Sequence, residues 1–114
     1  MKYNWKIYVL FLALLFFSKE TFGQISIMQF NADWNSSNTV EWLDDLSDVE
    51  NIKYIDIAEN PESQEKHEII VVPTIIVFKD GDEVKRFQAD ISFSMQATKE
   101  DVQEVIDEQL MSDF

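Results

Sequence analysis

From Gln24 onward the chain alternates short β-prone apolar runs with segments of helical spacing, and this alternation limits the possible folds more than any other feature. Residues 24–31 (QISIMQFN) place Ile25, Ile27, Met28 and Phe30 in one short run that reads as a strand. Residues 35–38 (NSSN) cluster helix-capping types, and Val40, Leu43 and Leu46 follow at helical spacing with Trp42 adjoining. With Asn38 and Glu41 as a capping box, the pattern predicts a helix over 37–47. Residues 52–58 (IKYIDIA) predict a second strand. Asn60-Pro61 marks a second helix, with Asn60 as N-cap, Pro61 in the first turn, Glu62 and Glu65 favoured by the helix dipole, and an end near Ile69. Residues 71–74 (VVPT) lead into an apolar strand over 75–79. Asp80-Gly81 is a two-residue hairpin signal, and residues 83–88 form the return strand. Residues 89–97 are irregular. Thr98 then caps a last helix, with Asp101 at the capping-box position and Val102, Val105, Ile106 and Leu110 on its buried stripe.

The order β-α-β-α-β-β-α predicts an α/β fold, a mixed sheet with helices on both faces. The first two strands should run parallel through a right-handed crossover, and the hairpin should add antiparallel strands.

The first 23 residues read as an address. Lys2 and Lys6 make a positive start, and Ile7 to Phe17 is an unbroken apolar run of 11 residues. As a helix it would span ~16 Å, short of a ~30 Å hydrocarbon core. Thr21 and Gly23 supply small residues before Gln24, which completes the outline of a secretory signal peptide over 1–23. The alternatives are an uncleaved anchor or a short buried helix. Cleavage would leave 91 of the 114 residues, 24–114, as one domain with no stable membrane span. Removing Lys2, Lys6, Lys19 and Glu20 takes the net charge from −13 to −15.

That charge argues against nucleic acid as a partner, since phosphate contact needs Lys and Arg in excess. Cysteine is absent, which excludes disulfides, thiolate metal sites and a thiol nucleophile. His67 is the one histidine and is expected at the surface. One imidazole with scattered carboxylates has no metal-site spacing, and the acidic run 80–83 is too short for a calcium loop. Asn35-Ser36-Ser37 is formally a glycosylation sequon, and no base lies near Ser36 or Ser37 to activate a hydroxyl. No metal or cofactor is expected.

Four segments, taken in order, resemble the thioredoxin family. They are Phe30-Asn31-Ala32-Asp33-Trp34-Asn35-Ser36-Ser37-Asn38, Val72-Pro73-Thr74 before the central strand, the Lys79-Asp80-Gly81 hairpin, and the capped helix from Thr98. The resemblance runs from Gln24 to about Leu110. It implies a minimal thioredoxin core without the family's additional N-terminal strand and helix. It also implies that Asn35 and Asn38 stand where the nucleophilic and resolving cysteines would be, and that Gln29 stands where many relatives keep a buried acid. Thioredoxin chemistry needs a thiolate of lowered pKa at a helix start, which an amide does not provide. Pro73 would be cis by the same resemblance. Trp34, Val72 and Pro73 would then form a peptide-docking patch, Val72 pairing its backbone with an extended segment; their alternative role is to maintain the fold. Phe93 and Met95 in the inserted segment either pack against the sheet or form an apolar flap over this groove.

Two functions stay open on these grounds. One is an exported, redox-inactive thioredoxin-like module that holds a protein or peptide. The other is an accessory to a partner oxidoreductase that supplies the reactive thiols. A weaker third is an acidic scavenger of cations or basic proteins.

Overall fold

The strands form where the apolar alternation is strongest. The computed structural model describes residues 23–112; the 1–22 part of the expected leader lies outside them. Strand β1 is Ile25–Asn31, β2 is Asn51–Asp56, β3 is Thr74–Lys79 and β4 is Asp82–Gln88. They form one sheet in the order β2-β1-β3-β4. β1 pairs parallel with β2 and antiparallel with β3, and β3 pairs antiparallel with β4. The sheet is therefore mixed, as the α/β expectation required.

Alternation in the two central strands builds two cores. Ile25 and Ile27 of β1 join Ile75 and Val77 of β3 on one face, under Val40, Leu43, Val102 and Ile106. Phe30 joins Ile76 and Phe78 on the other face, with Ala32, Ile69 and Val72. Helix α2, Lys99–Met111, supplies Val102 and Ile106 to the first face. Helix α1, Pro61–Lys66, ends against the second. In β4 the register passes from Val77↔Lys85 to Phe78↔Glu83, so Val84 is an extra residue. This bulge lets Val84 and Phe87 reach the same core despite their odd spacing.

Local signals predicted several boundaries well. Asp80 and Gly81 have φ of 52° and 88°, the left-handed pair a tight hairpin needs. Thr98 and Asp101 form the capping box, Thr98 Oγ1 accepting from the Asp101 amide at 3.2 Å and Asp101 Oδ2 from the Thr98 amide at 2.8 Å.

Four expectations are corrected. No α-helix covers 37–47; the chain makes two short 3-10 turns, Asp33–Asn38 and Trp42–Asp45. Val40 lies between them with both backbone groups bonded to the Gln29 side chain: its N–H donates to Oε1 at 2.8 Å, and its C=O accepts from Nε2 at 3.0 Å. Those groups are thereby withdrawn from a helical ladder. The Asn38–Glu41 capping box does not form: Asn38 ends the first turn instead of opening a helix, and its Nδ2 donates back to Asn35 Oδ1 at 2.8 Å. Helix α1 stops at Lys66 rather than near Ile69. Glu68 turns left-handed with a φ of 52°, the amides of His67, Glu68 and Ile69 close on the last carbonyls of α1, and Arg86 donates to the His67 and Glu68 oxygens just beyond it at 2.9 and 3.3 Å. Asn60 does precede α1, but its side chain donates back to the Asp56 carbonyl and caps nothing.

The Gln29–Val40 pair generates a test. Gln29→Leu leaves the Val40 N–H and C=O buried without partners, and each orphaned group costs roughly 1–3 kcal/mol. A large fall in the urea midpoint is expected. Gln29→Glu restores a donor and an acceptor only while the carboxyl is protonated. Its folded-state pKa is therefore raised, and its stability should be greatest at acidic pH and fall as pH rises through neutrality.

Candidate functional site

The turn after β1 is where sequence analysis placed the site. Ala32 and the Asp33–Asn38 turn carry the chain across the end of the sheet, with the Asn35 amide bonded to the Ala32 carbonyl at 2.9 Å. The Asp33-Trp34-Asn35 order then sends Trp34 outward and Asn35 inward: Trp34 is 66% exposed and Asn35 only 4%.

Asn35 is the centre of a closed amide network. Its Nδ2 donates to Asn31 Oδ1 at 3.0 Å and to the Phe93 carbonyl at 3.0 Å, and lies 3.5 Å from the Val72 carbonyl. Its Oδ1 accepts from Asn38 Nδ2. Asn31 Nδ2 in turn donates to the Asn35 carbonyl at 3.1 Å and to Thr39 Oγ1 at 3.0 Å. Every buried side-chain nitrogen and oxygen among the described residues has a partner. The Asn35 sequon is consumed by the fold, since its nitrogen is buried and bonded.

Asn35, Asn38, Val72 and Pro73 are thus brought together, and Trp34 stands at their rim. Val72 and Pro73 are buried, and the bond between them is cis. Thr74 fixes the turn before β3 through Oγ1, which donates to the Val71 carbonyl at 2.6 Å. The inserted segment closes over the group. Phe93 takes a φ of 60°, unusual for a residue with a side chain. That geometry directs its carbonyl at Asn35 while its ring meets Trp34 edge-on at 5.1 Å. The turn is held from Asp90, whose carboxylate accepts from the Ser92 amide and hydroxyl and is thereby kept below its ordinary pKa. Met95 packs into the first core, whereas Phe93 and Ile91 stay exposed. The roles of Asn31 and Thr39 were missed in the sequence, whereas Phe93 takes the flap position that was one of its two expected places. The run of asparagines from 31 to 38 was the available signal.

His67 corrects the expectation of a surface residue. Its ring is half-buried between Phe30 and Phe78, with centroids at 5.3 and 5.9 Å. Burial, then Lys66, lowers its pKa below the ordinary 6.5. Among the described residues no three carboxylate or imidazole groups converge as a metal cage. No helix there is long and apolar enough to cross a membrane.

The sheet order, the turn after β1 and the proline before β3 define a thioredoxin fold. No family model matches the chain. Over 70 residues, 61% of its length, it is 37% identical to a thioredoxin of Staphylococcus saprophyticus. That match spans 62% of the relative, less than two thirds. A mutant thioredoxin from Halobacterium salinarum superimposes with a TM-score of 0.60 at 22% identity, covering 76% of this chain and 75% of that one. Fasciola hepatica thioredoxin gives 0.56 at 24% identity, covering 84% and 90%. The chain is thioredoxin-like in sequence and in fold, and it contains no cysteine.

Two measurements test the site. In the unfolded chain His67 binds a proton near its ordinary pKa, and in the folded chain only at lower pH. Stability should therefore fall as pH drops through about 6.5. His67→Phe should flatten that slope between about pH 7.5 and 5.5, a window above the carboxylate range. Asn35→Asp places a carboxylate opposite the Val72 and Phe93 carbonyls. It should destabilise the domain more at neutral than at acidic pH and quicken amide exchange near Phe93.

Proposed function

We propose that this protein is an exported, redox-inactive thioredoxin-like module that binds a protein or peptide. The observation that carries the proposal is the fate of Asn35 and Asn38. Asn35 is used up in a neutral hydrogen-bond network that Asn38 joins, and the large aromatic side chains left accessible beside it are Trp34 and Phe93. Large exposed aromatics beside a rigid turn suit contact with another chain rather than group transfer. Neither amide can form a mixed disulfide, so any disulfide chemistry would come from a partner's thiols. Val72 is the member of the patch whose backbone carbonyl the Asn35 amide approaches, so contact falls on the Trp34 rim rather than on a free strand edge at Val72.

Export rests on the Lys2–Gly23 pattern. Protein recovered outside the cytoplasm should begin at Gln24; recovery only in the cytoplasm with an intact N-terminus overturns that part. The purified protein should not accelerate insulin reduction by dithiothreitol above the blank, and measurable turnover would sink the redox-inactive claim. A photo-crosslinker placed at position 93 should capture a discrete partner from extracytoplasmic extract. Trp34→Ala, with an unchanged melting temperature, should lose that product.

A further inference from the structure

At Asp33, the residue before Trp34, the surface opens into a cavity of about 230 Å³. Asn31, Asp33, Ser36, Thr39, Tyr54 and Asp56 line it, and no basic residue does. Its wall therefore offers two carboxylates, two hydroxyls and a phenol ring. Tyr54 is 48% exposed, and its hydroxyl donates to Asp44 Oδ1 at 3.3 Å, which steadies the ring at the mouth. The Asp56 carboxylate takes the Ala58 amide at 2.8 Å and keeps further acceptor capacity. Asp33 is exposed and directly precedes Trp34. Trp34, which follows Asp33 in the chain, meets the Phe93 ring edge-on, so the aromatic pair and the recess share the same turn.

We infer that the recess receives a lysine or arginine side chain from an extended, basic partner segment, whose neighbouring apolar residue rests on Trp34 and Phe93. The inference rests on the interaction-module proposal and names its partner class. Charge selects the occupant. The chain carries −13, and the recess holds carboxylates with no internal cation, so an acidic segment would be repelled and a neutral one would leave the carboxylates without a counter-charge. An aromatic face beside the carboxylates adds attraction for a guanidinium. A cavity of this size accepts one long side chain and is too small for a folded element.

The test uses two extended peptides that differ only in arginine against citrulline, its neutral near-isostere, titrated into the ¹⁵N-labelled protein. The arginine peptide should saturably shift the Trp34 indole and the amides of Asp33 and Tyr54. Its affinity should drop about fivefold, the size of one partly exposed ion pair, on changing to citrulline, in Asp33→Asn, or in Asp56→Asn. It should also weaken from about 0.01 M to about 0.15 M salt, over which screening shortens from ~30 to ~8 Å. Equal binding of both peptides at Trp34 overturns the cationic recess and leaves the interaction module standing. Peptide shifts that never involve Trp34, whether absent or spread over the acidic helix α2, overturn both. Unchanged affinity in the two Asn variants overturns the recess, and the salt series keeps the test valid if either variant folds poorly.

Discussion

A buried, non-helical stretch of backbone must find hydrogen bonds that a helix would have supplied, and the chain meets this constraint with side-chain amides. The connection from β1 to β2 buries Ala32, Asn35, Val40 and Leu43, yet it contains only two short 3-10 turns. An amide has a donor and an acceptor at fixed separation, so it can mimic a neighbouring strand. Gln29 does so at Val40, Asn31 bridges the turn to Thr39, and Asn35 ties the turn to the Phe93 loop and approaches the proline turn. A neutral amide can be buried this way without the heavy desolvation cost of a charge. A carboxylate at position 29 would lack the donor for the Val40 carbonyl.

This constraint also explains what was legible in the sequence. The strands, the Asp80-Gly81 hairpin and the Thr98 capping box depend on neighbours within a few residues, and they read correctly. The connection did not, because Val40, Leu43 and Leu46 have the spacing of a helix face. Two separate turns, each burying one apolar residue, produce the same spacing. What distinguishes them is Gln29, 11 residues away in sequence. His67 failed for the same reason: its polar helix suggests solvent, while Phe30 and Phe78 come from two distant strands. Of the site, Trp34, Asn35, Asn38, Val72 and Pro73 could be placed by resemblance to thioredoxins. The flap at Phe93 was one of two expected placements, and its carbonyl contact with Asn35 could not be read, since it depends on a left-handed residue inside an irregular insertion.

Asn35 and Asn38 also hold the turn together. A thiol pair at these positions would need an accessible, ionisable sulfur at the turn. Asn35 instead points inward and spends its donors on Asn31 and the Phe93 carbonyl, with the Val72 carbonyl at the edge of reach. The same contacts tie the turn to the loop that carries Phe93. Trp34 and Phe93 remain exposed there and meet edge-on. A pre-ordered aromatic pair loses less entropy on binding than a mobile one.

The few cations complete the picture. Arg86 holds the Glu83 carboxylate through two hydrogen bonds and also takes the His67 and Glu68 carbonyls at the end of α1. Lys79 donates to the Gln109 carbonyl at 2.8 Å and to Ser112 at the end of α2. Both sit where the dipole of a helix end favours positive charge. Lys85 lies about as far as a cation can usefully sit from the Phe87 ring, at 6.0 Å. Arg86 and Lys79 are thus committed to helix ends, away from the Trp34 turn. The carboxylates around that turn face solvent with no structural cation among the residues lining their recess. Arg86 and Lys79 brace the ends of the two helices, and neither lines the recess around Asp33 and Asp56.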